Sequence, residues 1–267
     1  MILHTNVKIN LGLRVIGRRE DGFHDIETLF VPYNGLQDLI EITPDYNDGA
    51  TLIAENLPWQ ADKDLTVQAY NILRRDFDIP GVRIRLNKHT PVGAGLGGGS
   101  ADAAFVIKAL NKMFDLRLDD GRMAEYAAEI GSDCAFFIYN SPMFGSGRGE
   151  VLEPFDIDLS QYKIKVVVPD GIAVNTAKAY RDLDKLRSED GTAATGLREI
   201  LRRPIEEWRG NLVNDFESVI FPAHPELADI KESLYQEGAV YAAMSGSGSA
   251  MFGLFRKPTD PTVLTLR

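Results

Sequence analysis

The feature that most constrains the fold is a glycine-rich segment lying between a strand pattern and a helix pattern. Residues 91–101 read Pro-Val-Gly-Ala-Gly-Leu-Gly-Gly-Gly-Ser-Ala, which places five of the chain's 24 glycines in one short stretch. Glycine lets the backbone adopt positive φ angles and lets a bulky anion approach main-chain N–H groups. The first turn of a helix has unpaired N–H donors and a partial positive charge. The segment therefore predicts a phosphate-binding loop.

Two common phosphate-loop patterns fit this segment incompletely. Residues 93–98 satisfy the dinucleotide pattern G-x-G-x-x-G, which also requires an acidic residue about 20 positions on, after the next strand. The nearest candidate, Asp115, follows a helix pattern with no strand before it. The P-loop pattern requires a lysine where this chain has Gly99, so the usual charge on the terminal phosphates is missing. A flexible linker is a further alternative, and the flanking strand and helix patterns argue against it.

Composition and charge limit the classes of function. The chain has 267 residues, of which 44% are hydrophobic and 25% charged, as in globular proteins. Its formal net charge of −10 argues against a broad basic face for nucleic acid. Cys134 is the single cysteine, so neither an intrachain disulfide nor a multi-cysteine zinc site is expected. With no signal-peptide pattern and no apolar run of membrane length, we expect a cytoplasmic protein without a membrane partner.

Local periodicity predicts an α+β protein of two domains, residues 1–155 and 156–267. Alternation predicts a first strand over 7–15, with an unusually polar face that carries Lys8 and Asn10. Further strands are predicted at 26–31, 39–43, 82–86, 163–168 and 250–255. Helices are predicted at 65–77, from Ser100 onward, and at 123–130, 176–183, 197–201, 214–220 and 226–236. The apolar run 135–139 is interpreted as a strand, and 188–196 as a polar loop.

Two charged residues outside the loop are candidates for the chemistry of phosphoryl transfer. Asp133 enters an otherwise apolar stretch, where a carboxylate costs desolvation unless it is paired. The alternative interpretation is that Asp133 caps the next helix, and its residue type alone favours that interpretation. Lys8 lies in the middle of the first strand, and such a lysine more often points to solvent. Close to Asp133, however, Lys8 would hold the carboxylate ionised and stabilise charge that develops during transfer.

The histidines favour no metal site held by the protein. His24 follows a turn, and taken alone it is interpreted as a surface or half-buried histidine. The chain has four histidines and no H-E-x-x-H pattern, so a zinc site is not expected. A metal would be Mg²⁺ carried by ATP, with few protein ligands. Ser100, at the predicted helix start, is then a candidate contact for the phosphates or for that ion.

Three separated segments resemble the GHMP kinases, the superfamily of galactokinase, homoserine, mevalonate and phosphomevalonate kinases. The loop at 91–104 is similar to the phosphate motif of this superfamily, and Ala-Ala-Met-Ser-Gly-Ser-Gly-Ser at 242–249 is similar to its third motif. Residues 8–30, which include Gly-Arg-Arg-Glu-Asp-Gly-Phe-His, resemble the N-terminal motif of one member family, the 4-diphosphocytidyl-2-C-methyl-D-erythritol kinases. Shorter matches at 130–133, 147–150 and 214–217 extend the resemblance over nearly the whole chain.

The resemblance implies a two-domain GHMP kinase fold. Its N-terminal α/β domain would be of the ribosomal-protein-S5-like type, and its C-terminal α/β domain would be ferredoxin-like. The implied activity is ATP-dependent phosphorylation of a small molecule, the 2-hydroxyl of 4-diphosphocytidyl-2-C-methyl-D-erythritol, in the non-mevalonate route to isoprenoid precursors. By the same resemblance, Asp133 falls on the catalytic base and Lys8 on its charged partner.

The resemblance also implies two sets of binding residues. The residues that would bind ATP are Lys63, Asp64, Pro91, Val92, Gly93, Ala94, Gly95, Leu96, Gly97, Gly98, Gly99, Ser100 and Ala101. The residues that would bind the substrate are Asn10, Phe23, His24, Thr176 and Tyr180. Among these, His24 would hydrogen-bond the cytosine and the ring of Tyr180 would stack on it.

Two positions depart from the family pattern. Phe23 stands where tyrosine is usual, so ring stacking survives and any hydroxyl contact is lost. Asp64 stands where asparagine is usual, which removes an amide donor near the adenine. Three alternatives stay open: another GHMP kinase acting on homoserine or mevalonate, a nucleotide-binding protein without catalysis, and a Rossmann-type dehydrogenase. The sequence specifies no oligomeric state.

Overall fold

The computed structural model describes residues 1–55, 59–187 and 196–258. Of the polar loop predicted at 188–196, only residue 196 lies within these ranges. The tail after residue 258 lies outside them. The strands are β1 Ile2–Arg18, β2 His24–Pro44, β3 Ala50–Ala54, β4 Val82–Asn87, β5 Met143–Ser146, β6 Val151–Pro154, β7 Tyr162–Val167, β8 Tyr241–Met244 and β9 Met251–Arg256. The helices are α1 Leu65–Asp76, α2 Gly98–Met113, α3 Asp120–Ile130, α4 Cys134–Tyr139, α5 Thr176–Arg187, α6 Leu197–Leu201, α7 Glu217–Ala223 and α8 Pro225–Gln236. Two short 3₁₀ turns occupy Ala61–Lys63 and Ile205–Glu207.

Among the described residues, six strands form the first sheet, in the order β3-β4-β2-β5-β6 with β1 paired along β2. β1 and β2 run antiparallel from Ile2 opposite Glu41 to Arg18 opposite His24. β2 is one strand of 21 residues, although the sequence predicted two separate strands at 26–31 and 39–43. β1 pairs with β2 on both sides of a register shift, at Tyr33 and at Gln37, and alternation of side chains carries no signal for that pairing.

Helices α1 to α4 pack together and bury one hydrophobic core against this sheet. The run 135–139 belongs to α4, so the predicted strand there is wrong. Residues 134–138 are all buried, with α2 and α3 packed against the helix. A short run that is apolar on every side has no periodicity to distinguish a helix from a strand. The helical turn matters because Asp133 immediately precedes it.

A second sheet, of the three strands β7-β9-β8, lies in the later part of the described chain, and all its pairings are antiparallel. Its hydrophobic core is shared with the first sheet, since Val7, Ile9 and Leu11 of β1 cluster with Trp208 and Phe252. Because side chains alternate along a strand, Lys8 and Asn10 face away from this shared core. The division into residues 1–155 and 156–267 stays a prediction.

Candidate active site

Two cavities lie on either side of the glycine-rich loop. The larger one has a volume of about 750 Å³, and its walls include Lys8, His24, Asp133 and Tyr180. The smaller one has a volume of about 380 Å³ and is lined by residues 63–65 and by most of the loop. Three glycines line both cavities: Gly93, Gly95 and Gly97. The loop is therefore the boundary at which ligands in the two cavities would meet.

Backbone hydrogen bonds clamp the loop between β1 and the segment that joins β8 to β9. The Lys8 N–H donates to the carbonyl of Leu96 at 2.9 Å, and the Ala250 N–H donates to the carbonyl of Ala94 at 3.0 Å. The Ser245 hydroxyl donates to the carbonyl of Gly95, also at 3.0 Å. A Cβ on Gly95 would lie 2.1 Å from the Ser245 carbonyl oxygen, so only glycine fits this close approach. Residues from both ends of the chain thus fix the loop.

The helix after the loop begins two residues earlier than predicted. Gly97 occupies the N-cap position with φ of +71°, and α2 starts at Gly98. Ser100 is therefore the third residue of the helix, and Asp102 lies beyond its first turn. No side chain caps this end, so the first N–H groups of α2 remain available to an anion.

Lys8 and Asp133 come together beside the loop. Lys8 Nζ lies 3.4 Å from Asp133 Oδ2, and the two side chains are 3% and 34% exposed. The same ammonium donates to Asn10 Oδ1 at 2.6 Å and to the Gly95 carbonyl at 3.0 Å. The Asp133 carboxylate, at 3.4 Å, is an ion-pair partner of this ammonium rather than a third hydrogen-bond acceptor. Lys8 is thus a buried cation that joins the loop to a partly exposed carboxylate.

The carboxylate of Asp133 is not a helix cap. Asp133 holds the N-cap position of α4, but its side chain accepts no hydrogen bond from that helix. The cap was the alternative that residue type alone favoured. The carboxylate instead borders the larger cavity and faces Lys8. An accessible carboxylate next to a fixed cation, at a phosphate loop, suits a group that takes a proton from a hydroxyl.

His24 and Tyr180 form one wall of the larger cavity. Their rings are stacked, with centroids 4.5 Å apart and planes 14° from parallel. The rings of Tyr180 and Phe216 are nearly perpendicular, with centroids 4.8 Å apart. Burial, with the nearby Asp133 charge, raises the pKa of Tyr180 to about 12. The Nε2 atom of His24 lies 2.8 Å from Oδ1 of Asp184 on α5. His24 is therefore buried and is fixed by Tyr180 and Asp184. Its local sequence alone predicted a surface or half-buried turn histidine.

The other predicted substrate residues also border this cavity. The Asn10 amide donates to Thr28 Oγ1 at 3.0 Å, which fixes its orientation beside Lys8. The Thr176 hydroxyl lies 2.7 Å from the Ser247 hydroxyl. Phe23 is 55% exposed, and the guanidinium of Arg148 lies 4.9 Å from the centre of its ring.

Lys63 and Asp64 line the smaller cavity, and Asp64 is buried. Its Oδ1 accepts hydrogen bonds from the N–H and the hydroxyl of Thr66, so Asp64 caps α1. Its Oδ2 accepts from the indole N–H of Trp59 at 3.0 Å. Trp59 borders the same cavity, and sequence reasoning missed it. No sequence pattern connects an isolated tryptophan with a carboxylate five residues later.

A buried ionic cluster lies at the residues that lead into the loop. The sequence did not predict it. Lys88 Nζ lies 2.6 Å from Asp38 and 2.7 Å from Asp102. Asp38 also accepts from the N–H groups of His89 and Thr90, the residues that lead into the loop. Burial raises the pKa of Asp102 to about 6, in spite of the Lys88 charge. The cluster thus fixes the chain at the entrance to the loop.

Models of two domain families match this chain. The model described as the GHMP kinases N terminal domain matches residues 64–141, and the GHMP kinases C terminal model matches residues 195–264. A 4-diphosphocytidyl-2-C-methyl-D-erythritol kinase of Bacteroides fragilis is 44% identical over 96% of this chain and 92% of its own length. The kinase of the same name from Porphyromonas gingivalis is 46% identical over 96% and 93% of the two chains.

The chain belongs to the 4-diphosphocytidyl-2-C-methyl-D-erythritol kinase family. A crystal structure of a 4-(cytidine 5'-diphospho)-2C-methyl-D-erythritol kinase matches it with a TM-score of 0.77 and 34% identity, over 95% of this chain and 90% of that one. A mevalonate kinase structure at 15% identity has a TM-score of 0.69 over 96% and 91% of the chains, which shows a shared fold. The GHMP kinase fold expected from the sequence is confirmed. No helix in the described part of the chain is long and apolar enough to cross a bilayer.

Proposed function

We propose that this chain phosphorylates the 2-hydroxyl of 4-diphosphocytidyl-2-C-methyl-D-erythritol with ATP, in the non-mevalonate route to isoprenoid precursors. Family membership supports the substrate, because relatives at 44% and 46% identity carry that name over nearly the whole chain. One observation carries the mechanism: the Lys8–Asp133 pair lies beside the glycines that border both cavities. A nucleotide in one cavity and an alcohol in the other would meet at this pair.

The reaction is a direct displacement at the γ-phosphorus. Asp133 accepts the proton of the 2-hydroxyl as its oxygen bonds to phosphorus, and the bond to the β–γ bridging oxygen breaks to release ADP. Lys8 lies beside the carboxylate and attracts the charge that accumulates on the transferred group. Because Lys8 also binds the Gly95 carbonyl, it keeps the base and the loop in one geometry.

The loop and the first turn of α2 hold the phosphates through backbone N–H groups. The described residues contain no cluster of three His, Cys, Asp or Glu side chains suited to a metal. Mg²⁺ would be carried by the nucleotide, and the Ser100 hydroxyl, which lines the smaller cavity, would contact it. When bound, this ion neutralises phosphate charge.

The two cavities divide recognition between the ligands. In the larger cavity, Asn10, Phe23, His24, Thr176 and Tyr180 would bind the cytidine-containing substrate, with aromatic rings against the base. In the smaller cavity, Lys63 and Asp64 would line the adenine of ATP. We also place the protein in the cytoplasm, where ATP is available and a buried free cysteine stays reduced.

A coupled assay for ADP release tests the activity, with three acceptors in parallel. We expect turnover with 4-diphosphocytidyl-2-C-methyl-D-erythritol and none with mevalonate or homoserine. Turnover only with either of the latter would replace the proposed substrate. ATP binding without turnover of any acceptor would favour a non-catalytic nucleotide-binding protein.

A further inference from the structure

His24 and Asp184 are joined by a hydrogen bond at the wall of the larger cavity. The atoms His24 Nε2 and Asp184 Oδ1 are 2.8 Å apart, which links the start of β2 to α5. His24 is 9% exposed, and the side chain of Asp184 is 34% exposed. Asp184 takes no part in the proton transfer proposed above. Asp184 also borders the larger cavity, where its hydrogen bond holds the His24 ring.

A carboxylate partner selects one tautomer of neutral histidine. An ionised carboxylate only accepts hydrogen bonds, so the proton of the neutral ring is on Nε2. The other nitrogen, Nδ1, then carries a lone pair and is an acceptor. No described residue hydrogen-bonds Nδ1 of His24. His24 borders the larger cavity, and its Nδ1 is an acceptor that has no partner among the described residues.

The ring is also fixed in orientation. Tyr180 stacks on His24, and the ring of Phe216 lies nearly perpendicular to the ring of Tyr180. Turning the His24 ring over would place a carbon where Nε2 now meets Asp184, and the hydrogen bond would be lost. Stacking therefore fixes the plane of the His24 ring. The hydrogen bond to Asp184 fixes which of the two flipped orientations the ring adopts in that plane.

Cytosine and uracil differ in the exocyclic group that would face a hydrogen-bond acceptor on the protein. Cytosine has an exocyclic amine, which donates, where uracil has a carbonyl oxygen, which accepts. An acceptor in the site pairs with the amine, while against the carbonyl it leaves two unpaired acceptors facing each other. A site that reads such a hydrogen bond discriminates strongly, because the wrong partner leaves polar groups unpaired.

We propose that Asp184 is a positioning residue that fixes the Nε2–H tautomer of His24, so that the site accepts the cytidine substrate and rejects its uridine counterpart. This inference rests on the proposed function for the identity of the substrate. It assigns to Asp184 a role in specificity that is separate from the chemical step. The tautomer itself is a property of the free protein and is measurable without turnover.

The kinetic test compares kcat/KM for the cytidine substrate and for its analogue in which uracil replaces cytosine. In Asp184→Asn, the carboxamide can accept from Nε2–H or donate to Nε2, so both tautomers are supported while the contact survives. We expect the cytidine-to-uridine ratio to fall at least tenfold in this variant, mainly through KM, with KM for ATP unchanged. Asp184→Glu restores a carboxylate and is expected to retain most of the ratio.

Asp182→Asn is the matched control. Asp182 is on the same helix and, among the described residues, pairs with Lys178 at 2.6 Å and Lys185 at 3.5 Å. The same change of charge there should leave the ratio within twofold of the wild-type value. If Asp184→Asn lowers kcat/KM equally for both bases, Asp184 is merely structural and the proposal is overturned.

Nitrogen NMR of the histidine rings tests the tautomer directly. The chain has only four histidines, and the His24→Gln variant assigns the His24 signals by their absence. We expect the Nε2–H form for neutral His24 in the wild-type chain and a mixture in Asp184→Asn. An Nδ1–H form in the wild-type chain would overturn the inference. If the chain instead has the expected tautomer but no activity on the cytidine substrate, the proposed function has failed and the tautomer assignment has not.

Discussion

Lys8 Nζ lies 3.4 Å from Asp133 Oδ2, although the two residues are 125 positions apart in the chain. β1 carries the lysine, and the turn before α4 carries the carboxylate. The glycine-rich loop packs against the lysine, since a Cβ on Gly97 would lie 3.3 Å from Lys8 Cε. The proposed general base, a cation and the proposed phosphate site therefore lie close together.

Asp133→Asn removes the proposed base without changing its shape. We expect kcat to fall by about 10²–10⁴-fold, the usual contribution of a general base. KM for ATP should change less than about threefold, because the phosphates are proposed to bind to the loop and α2 and not to Asp133. Steady-state kinetics and ATP calorimetry measure both quantities. Asp115→Asn, an exposed control, should behave as wild type; turnover near the wild-type rate in Asp133→Asn would refute the base assignment.

Lys8→Met keeps much of the side-chain volume and removes the cation. The acceptors on Asn10 and Gly95 lose their donor, so we expect the free energy of unfolding to fall by about 1–3 kcal/mol. We also expect a large loss of kcat, because Asp133 loses its partner. Urea titration and steady-state kinetics separate the two effects.

The double variant of Lys8 and Asp133 shows whether they act as a unit. If they do, the loss of kcat in the double variant will be close to that of the worse single variant. Losses that simply multiply would mean that the two residues act independently.

Local patterns in the sequence predicted the loop, α1, α2 and β1 because each depends on neighbouring residues. They did not predict α4, whose apolar run has no period, nor the continuity of β2, which depends on pairing with β1. The same limit applies within the site. Lys8 and Asp133 had chemically suggestive surroundings, whereas Asp184 resembles any acid on a polar helix. Its hydrogen bond to His24, 160 positions away, depends only on the tertiary fold.

Gly95→Ala tests the clamp on the loop. Gly95 has φ of +78°, and an added Cβ would meet the backbone carbonyl of Ser245. The backbone strain alone costs about 1–3 kcal/mol, and we expect ATP binding to weaken as the loop shifts. Gly99→Ala is the control for stability, because Gly99 has no positive φ and its nearest neighbour, Leu65 Cδ1, is 3.5 Å away. Thermal melts should show a loss for Gly95→Ala only.

Asp102 gives stability a specific pH dependence. Burial raises its pKa from 3.8 to about 6, so the native state binds this proton more tightly than the unfolded state does. The stabilisation from Asp102 is therefore complete below about pH 4 and is lost as the pH rises through 6. The shift of about two units corresponds to roughly 3 kcal/mol. Relative to Asp102→Asn, the wild-type free energy of unfolding should decline by that order between pH 4 and 7.

Urea unfolding at a series of pH values measures this difference. Asp38 is not expected to mask it, because hydrogen bonds from Lys88 and Thr90 outweigh burial and lower the pKa of Asp38. The stabilisation from Asp38 is lost only at acid pH. A difference between wild type and Asp102→Asn that stays constant from pH 4 to 7 would contradict the assignment.

Asp64→Asn introduces the residue that the resemblance gives as usual at this position, and we expect it to be harmful in this chain. Both carboxylate oxygens of Asp64 are acceptors, one for Thr66 and one for the indole N–H of Trp59. An asparagine can accept at one of these positions only, and its amide would oppose an N–H at the other. We expect a loss of about 1–3 kcal/mol in unfolding free energy.

The fluorescence of Trp59 distinguishes this explanation from a general loss of stability. The chain has two tryptophans, and Trp208 is buried in the shared core. ATP should therefore change the emission of the wild-type chain through Trp59, which borders the smaller cavity. The change should be weaker in Asp64→Asn and absent in Trp59→Phe, while Asp62→Asn, an exposed acid in the same segment, should match wild type. An unaltered response in Asp64→Asn would mean that the carboxylate does not position the indole.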